Sequence, residues 1–152
     1  KIEIPNKLYS QRKSRVTYVL IVVYLLILSG SYVVGAGATA VCTAWPLCQG
    51  FSVPWEEIYV IHMVHRYVAL IAFLGMLYIG VKWLRKPVIP RRIKIAIHSL
   101  FGLIVFQVVI GAIIVWSDFH PHLKASHLTF ATLVWISAVY FAFVMSRVST
   151  SD

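Results

Sequence analysis

Three features predict an all-α membrane protein, a bundle of four transmembrane helices with both termini cytoplasmic. Hydrophobic residues make up 60% of the 152-residue chain and charged residues only 12%, against about 25% charged in a soluble domain. Four apolar runs are each long enough to cross about 30 Å of hydrocarbon, which takes about 20 residues. The basic residues cluster beside these runs in a pattern that sets topology.

The first span covers about residues 16–35, the second 58–83, the third 95–116 and the fourth 126–145. They form a single domain over residues 1–152. All six prolines (Pro5, Pro46, Pro54, Pro87, Pro90, Pro121) fall outside these limits, as expected where proline would break helix hydrogen bonding. The first run, at about twenty residues, exceeds the 7–15 apolar residues of a signal-peptide core and is read as a retained helix. The sequence opens on Lys1 without a methionine, so a few preceding residues are expected to be missing or trimmed.

Lysine and arginine orient the bundle. The N-terminal segment carries Lys1, Lys7, Arg12, Lys13 and Arg15, the loop between spans two and three carries Lys82, Arg85, Lys86, Arg91, Arg92 and Lys94, and Arg147 follows span four. The other two loops contain only Lys124. Positive charge stays inside, so loops 36–57 and 117–125 are expected outside the membrane of a prokaryotic cell. The same placement argues against nucleic-acid binding despite a net charge of +9, because the charge belongs to short blocks at span ends.

Ionisable residues within spans are functional candidates by default. Span two carries His62, His65 and Arg66, span three His98 and Gln107, and span four begins near His127. His65 and His127 both follow an entry from the outer side, which places them at similar depth. Neutral imidazole ligates heme iron, and helical bundles build heme pockets from facing helices. The pair is therefore a candidate for the two axial ligands of one heme. His62 is three residues before His65 and shares its helix face. Arg66 can pair with a heme propionate, or with Glu56, Glu57 or Asp118. His98 is expected at the cytoplasmic interface, Gln107 on a neighbouring helix, and His120 and His122 in a solvated outer loop. Trp45, Trp55, Tyr59, Trp83 and Trp116 are read as interfacial aromatics.

Cys42 and Cys48 lie in the first outer loop, on a side that is ordinarily oxidising, so a disulfide is expected. Two cysteines are too few for a disulfide scaffold. A structural clip and a redox-active pair are both open.

The strings C-T-A-W-P-L-C-Q-G in the first loop, H-M-V-H-R-Y-V-A in span two, F-Q-V-V-I-G-A-I-I-V in span three and H-L-T-F-A in span four together resemble heme A synthase. The resemblance runs over about residues 30–142. Typical members have eight spans in two similar four-helix halves, each half holding one heme between paired histidines. One half binds the substrate heme O and the other a heme b. A methyl group of heme O becomes the formyl group of heme A by two hydroxylations and loss of water.

The resemblance implies a compact variant built as one half, with His65 and His127 at the family's ligand positions. Cys42 and Cys48 stand at its outer-loop cysteine pair. It also implies heme b, heme O or heme A as bound group, heme O as substrate, and a homo-oligomer in the lipid bilayer. Heme O synthase or a terminal oxidase under assembly are the protein partners it suggests. One departure stands out. The substrate half of the family has a glutamate three residues before the span-two histidine, and this chain has His62 there, which becomes the catalytic candidate. Two other classes remain open: a bis-histidine membrane cytochrome b that transfers electrons or handles heme without converting it, and a four-helix accessory subunit without a cofactor.

Overall fold

The computed structural model describes residues 2–4, 6–52, 54–85 and 89–150, and side chains from residue 13 to residue 147 within those limits. Lys1, Pro5, Lys86 and Pro87 lie outside the described residues. Four long helices dominate: α1 (Asn6–Gly35), α2 (Glu57–Leu84), α3 (Arg91–Trp116) and α4 (Pro121–Ser146). All four are long and apolar enough to cross a membrane, α1 over Lys13–Gly35. The expected spans therefore hold, with the helices running a few residues beyond most of the predicted ends.

Helix α1 begins ten residues before its predicted limit, and the difference that bears on the site is at α4. It begins at Pro121, five residues before the predicted limit, with proline at its first position. Proline is tolerated there because that N–H has no partner within the helix. The second outer connection is consequently only residues 117–120. It turns through Asp118 and Phe119, both with left-handed backbone at φ 50° and 60°. Phe119 N–H donates to the Ile114 carbonyl at 2.8 Å and Ser117 N–H to that of Ile113 at 2.9 Å. Those two bonds satisfy carbonyls that α3 would otherwise leave unpaired at its end.

The helices pack around a square: α1 touches α2 and α4, and α3 touches α4 and α2. Thus α2 and α4 stand on one diagonal. The continuous core, including Val19, Val23, Met76, Ile79, Trp83, Leu100, Ile104, Val134, Ala138 and Phe141, fills the half of the bundle nearer the α2–α3 loop. Trp83 is only 4% exposed, so it belongs to this core and not to an interfacial belt. Near it α1 and α2 come very close. Tyr18 of α1 lies over Gly75 of α2, where a Cβ would overlap its ring, and its hydroxyl donates to the Ile71 carbonyl at 3.1 Å. Leu25, Leu70, Val109 and Ile136 point outward from the four helices, as suits side chains facing lipid tails. Helix association in lipid then rests on this close packing more than on burial from water.

Outside the spans, Ile2–Ile4 (β1) pairs in parallel with Val148–Thr150 (β2), an element not expected from the sequence. The pairing puts both ends of the chain at one end of the bundle. The opposite end carries the long loop between α1 and α2, with a short 3-10 turn at Ala38–Ala40.

Candidate heme site

His65 sits eight residues beyond the start of α2 and His127 six beyond the start of α4. At 1.5 Å per residue the two are about 12 and 9 Å along their helices. The early start of α4 therefore brings the histidines to more nearly equal depth. They stand on diagonal helices of the square.

Each imidazole also lies against a glycine of the preceding helix. A Cβ on Gly30 of α1 would stand 3.0 Å from His65 Cε1, and one on Gly111 of α3 would stand 3.6 Å from His127 Cε1. Both glycines are five residues from the end of their helices. The bundle thus repeats one arrangement twice, a glycine on the first helix of a hairpin and a histidine on the second. Glycine is required most at position 30, where any larger residue would press the ring inward.

The polar contacts differ between the two sides. Ser29 Oγ lies 3.0 Å from His65 Nδ1 and donates its own proton to the Leu26 carbonyl at 3.0 Å. Gln107 Nε2 of α3 donates to the backbone carbonyl of His127 at 2.9 Å, so Gln107 does bond a neighbouring helix. Its Oε1 is buried without a partner, and so is Nδ1 of His127. Ser29, Gly30 and Gly111 were not singled out by sequence reasoning as parts of a site. Small or hydroxylated residues inside an apolar span are common, and only the fold shows which of them meet a histidine.

His62 and Arg66 hold the first outer loop. His62 Nδ1–H donates to the Ala38 carbonyl at 2.8 Å, which leaves Nε2 with its lone pair. Arg66 Nη1 donates to the carbonyls of Ala44, Pro46 and Leu47 at 2.8, 3.0 and 3.0 Å. These carbonyls, and not the carboxylates of Glu56, Glu57 or Asp118, are its partners. Arg66 Nη2 is buried and unpartnered. Glu57 instead lines an open groove of about 340 Å³ between α1 and α2, together with Ser29, Tyr32, Trp55 and Val64.

Cys42 and Cys48 form a disulfide. Both are fully buried against Met63, with Val41, Leu47 and Tyr59 around them. Reactive cysteines are partly exposed, so this burial favours the structural clip over the redox pair. Trp45 in the same loop meets Trp116 at the end of α3 edge to face, 6.0 Å between centroids. The loop therefore reaches from α2 to α3 over one mouth of the bundle.

The remaining histidines stand apart. His98 is exposed and donates Nδ1–H to the Lys94 carbonyl of its own helix at 2.7 Å. His120 and His122 are exposed with ring centroids 5.3 Å apart. His122 is on the first turn of α4, not in a loop. Among the described residues no group of three or more His, Cys, Asp or Glu could hold a metal ion.

A bundle of four helices long and apolar enough to cross a membrane, with a half-buried histidine on each of two diagonal helices, is the class that this geometry defines. Residues 55–139 match a family described as cytochrome oxidase assembly protein. The chain is 31% identical over 127 residues to a heme A synthase of Macrococcus caseolyticus, covering 82% of this chain and 42% of that protein. It is 27% identical over 139 residues to a heme A synthase of Staphylococcus haemolyticus, covering 91% and 46%. A heme A synthase of Erythrobacter litoralis matches at 27% over 134 residues, covering 80% and 38%. The chain belongs to the heme A synthase family. It spans less than half the length of these curated relatives.

Proposed function

We propose that this chain forms a heme-holding four-helix unit of a heme A synthase-like oxidoreductase, with His65 and His127 as the axial ligands. The observation that carries the reading is the placement of two imidazoles on diagonal helices at matched depth, each backed by a glycine. The donor set suits heme iron, which takes neutral imidazole readily. When bound there, heme supplies the redox-active iron, and heme O also supplies the methyl group that is oxidised.

The chain's own residues hold and orient that group. His65 of α2 and His127 of α4 would hold it. Arg66 keeps Nη2 free for an acidic group such as a propionate, while Nη1 stays on the loop. His62 lies on the same helix face as His65, and its Nε2 can take up or release a proton because Nδ1–H is committed to Ala38. The overall change from methyl to formyl adds one oxygen atom, balanced as water, and releases four protons and four electrons, which a separate electron acceptor must take. A second four-helix unit, from another copy of this chain or from elsewhere, would provide the second heme of the relatives. The positions of the basic residues support a topology with the α2–α3 loop and both termini in the cytoplasm and the disulfide loop outside, in a prokaryotic cell membrane. Heme O synthase and the terminal oxidase under assembly are the neighbours that this role implies.

The deciding experiment is to purify the protein from cells that make heme O, extract its heme and identify it by chromatography and mass. Heme A in the wild type and heme O in His62→Ala would support the reading. Heme that stays unmodified with a competent electron acceptor present would overturn conversion. One observation favours a second reading, a bis-histidine cytochrome b without conversion: His62 stands where the family resemblance implies a glutamate, and its Nδ1 is tied to the backbone. A reversible six-coordinate b-type spectrum with unmodified heme would identify that protein.

A further inference from the structure

We infer that Ser29 and Gln107 are a matched pair of positioning residues, one for each axial histidine. Each comes from the preceding helix. Ser29 keeps the proton on Nδ1 of His65, and Gln107 sets an acceptor beside Nδ1 of His127, so that Nε2 of each ring is left for the heme. The inference rests on the heme reading above and goes beyond it.

The His65 side follows from counting protons. A serine hydroxyl has one hydrogen to give. The Leu26 carbonyl can only accept, so the Ser29 proton goes to it at 3.0 Å. At the second contact, 3.0 Å from His65, the serine oxygen must then accept. The donor is Nδ1–H, and Nε2 is left with the lone pair that iron requires. A ring nitrogen that donates to a fixed acceptor fixes both tautomer and orientation, and makes the other nitrogen a stronger ligand.

The His127 side has the same parts with the last bond unmade. Gln107 Nε2 donates to the His127 carbonyl at 2.9 Å, so its carboxamide is anchored beside that residue. Gln107 Oε1 and His127 Nδ1 are both buried without a partner. One is an acceptor, and the other is a donor whenever Nε2 faces iron. A buried unpaired polar atom costs about 1–3 kcal/mol, and pairing these two removes both penalties. Gln107 is also four residues before Gly111, on the same face of α3, as Ser29 is adjacent to Gly30. Each hairpin thus offers its histidine a small residue to lie on and an oxygen to hold it.

Two measurements test this. In the heme-free protein, imidazole nitrogen NMR reads the tautomer directly. His65 should carry its proton on Nδ1, Ser29→Thr should keep it there, and Ser29→Ala should shift the population toward Nε2–H. An Nε2–H tautomer in the wild type, or no change in Ser29→Ala, overturns the Ser29 assignment whatever becomes of heme. In the heme-loaded protein, the midpoint potential reads the donor strength of each ligand. Gln107→Leu should raise the potential, because a weaker donor favours ferrous iron, and Gln107→Glu should lower it. Ser29→Ala should raise it, with Ser29→Thr restoring the wild-type value. Heme release should quicken about ten- to hundredfold in the Ala and Leu variants. Shifts of the same sign in Gln107→Leu and Gln107→Glu, or none, would overturn the Gln107 assignment. A wild type that binds no bis-histidine heme would instead sink the heme reading.

Discussion

The imidazole of His65 lies so close to Gly30 that a methyl group on Gly30 would stand 3.0 Å from Cε1, whereas the corresponding distance from Gly111 to His127 is 3.6 Å. The first is tighter than ordinary van der Waals contact and the second is ordinary. Alanine inside a helix gains up to about 1 kcal/mol over glycine, while overpacking costs about 1–3 kcal/mol. Gly111→Ala is therefore expected to be neutral or stabilising and to keep its heme. Gly30→Ala should displace His65 and lower heme content. Pigment per mole of purified protein, read beside thermal unfolding in detergent, checks the contrast. Equal loss in both variants would contradict it.

Removal of either ligand should leave the bundle folded and the heme poorly held. His65→Ala and His127→Ala are each expected to lose bound heme by roughly tenfold or more, since even outer partners of a ligand are worth 10–100-fold. Helical circular dichroism should be retained, because neither histidine belongs to the continuous core. Unchanged heme content in both variants would favour the accessory subunit without a cofactor.

Arg66 should behave as a structural residue before it behaves as a charge. Its Nη1 meets three loop carbonyls from the end of a side chain longer than that of lysine, whose ammonium falls short of that position. Arg66→Lys is expected to destabilise the protein by about 1.5–3 kcal/mol, the range for hydrogen bonds to a charged group, with partial exposure favouring the lower end. Limited proteolysis within residues 43–47 should become faster. If Arg66→Lys matches the wild type in both measurements, the loop is held by other contacts.

The disulfide closes a short loop of sequence separation 6. Chain-entropy arithmetic gives about 2 kcal/mol for a loop of that size. Joint replacement of Cys42 and Cys48 by serine should lower the unfolding temperature while the heme spectrum persists. In the native protein both sulfurs are buried, so reductant and alkylating reagent should reach them only on unfolding. Rapid labelling under native conditions, or loss of heme conversion at unchanged stability, would return the pair to a redox role.

Hydropathy made the four helices legible because a membrane span leaves a run too long to mistake, and the positions of His65 and His127 followed from the runs. The start of α4 was less legible. Pro121 reads as a breaker, yet at the first helical position it costs nothing, and the residues after it are polar enough to pass for loop. Trp83 looked interfacial because it stands beside Lys82 and Arg85, but it turns inward to the core. The partners of Arg66 could not be read at all. Backbone carbonyls leave no mark in a sequence, whereas the acids Glu56, Glu57 and Asp118 are plain in it. Ser29 and the glycines were hidden for a similar reason, since their role is one of proximity across helices.

His62 and Arg66 are one helical turn apart on α2, with His65 between them, and both end on carbonyls of the same loop. Two fastenings on one side of a cylinder resist its rolling about its long axis. A roll of about 20° would carry an imidazole some 6 Å from the axis through about 2 Å, far beyond the roughly 0.5 Å within which a functional site must be held. The loop clasped by the disulfide is in this sense a rotational stop. It sets the angle at which His65 addresses the centre of the bundle without touching that histidine, so a change in the loop would be felt first as a change in ligand direction.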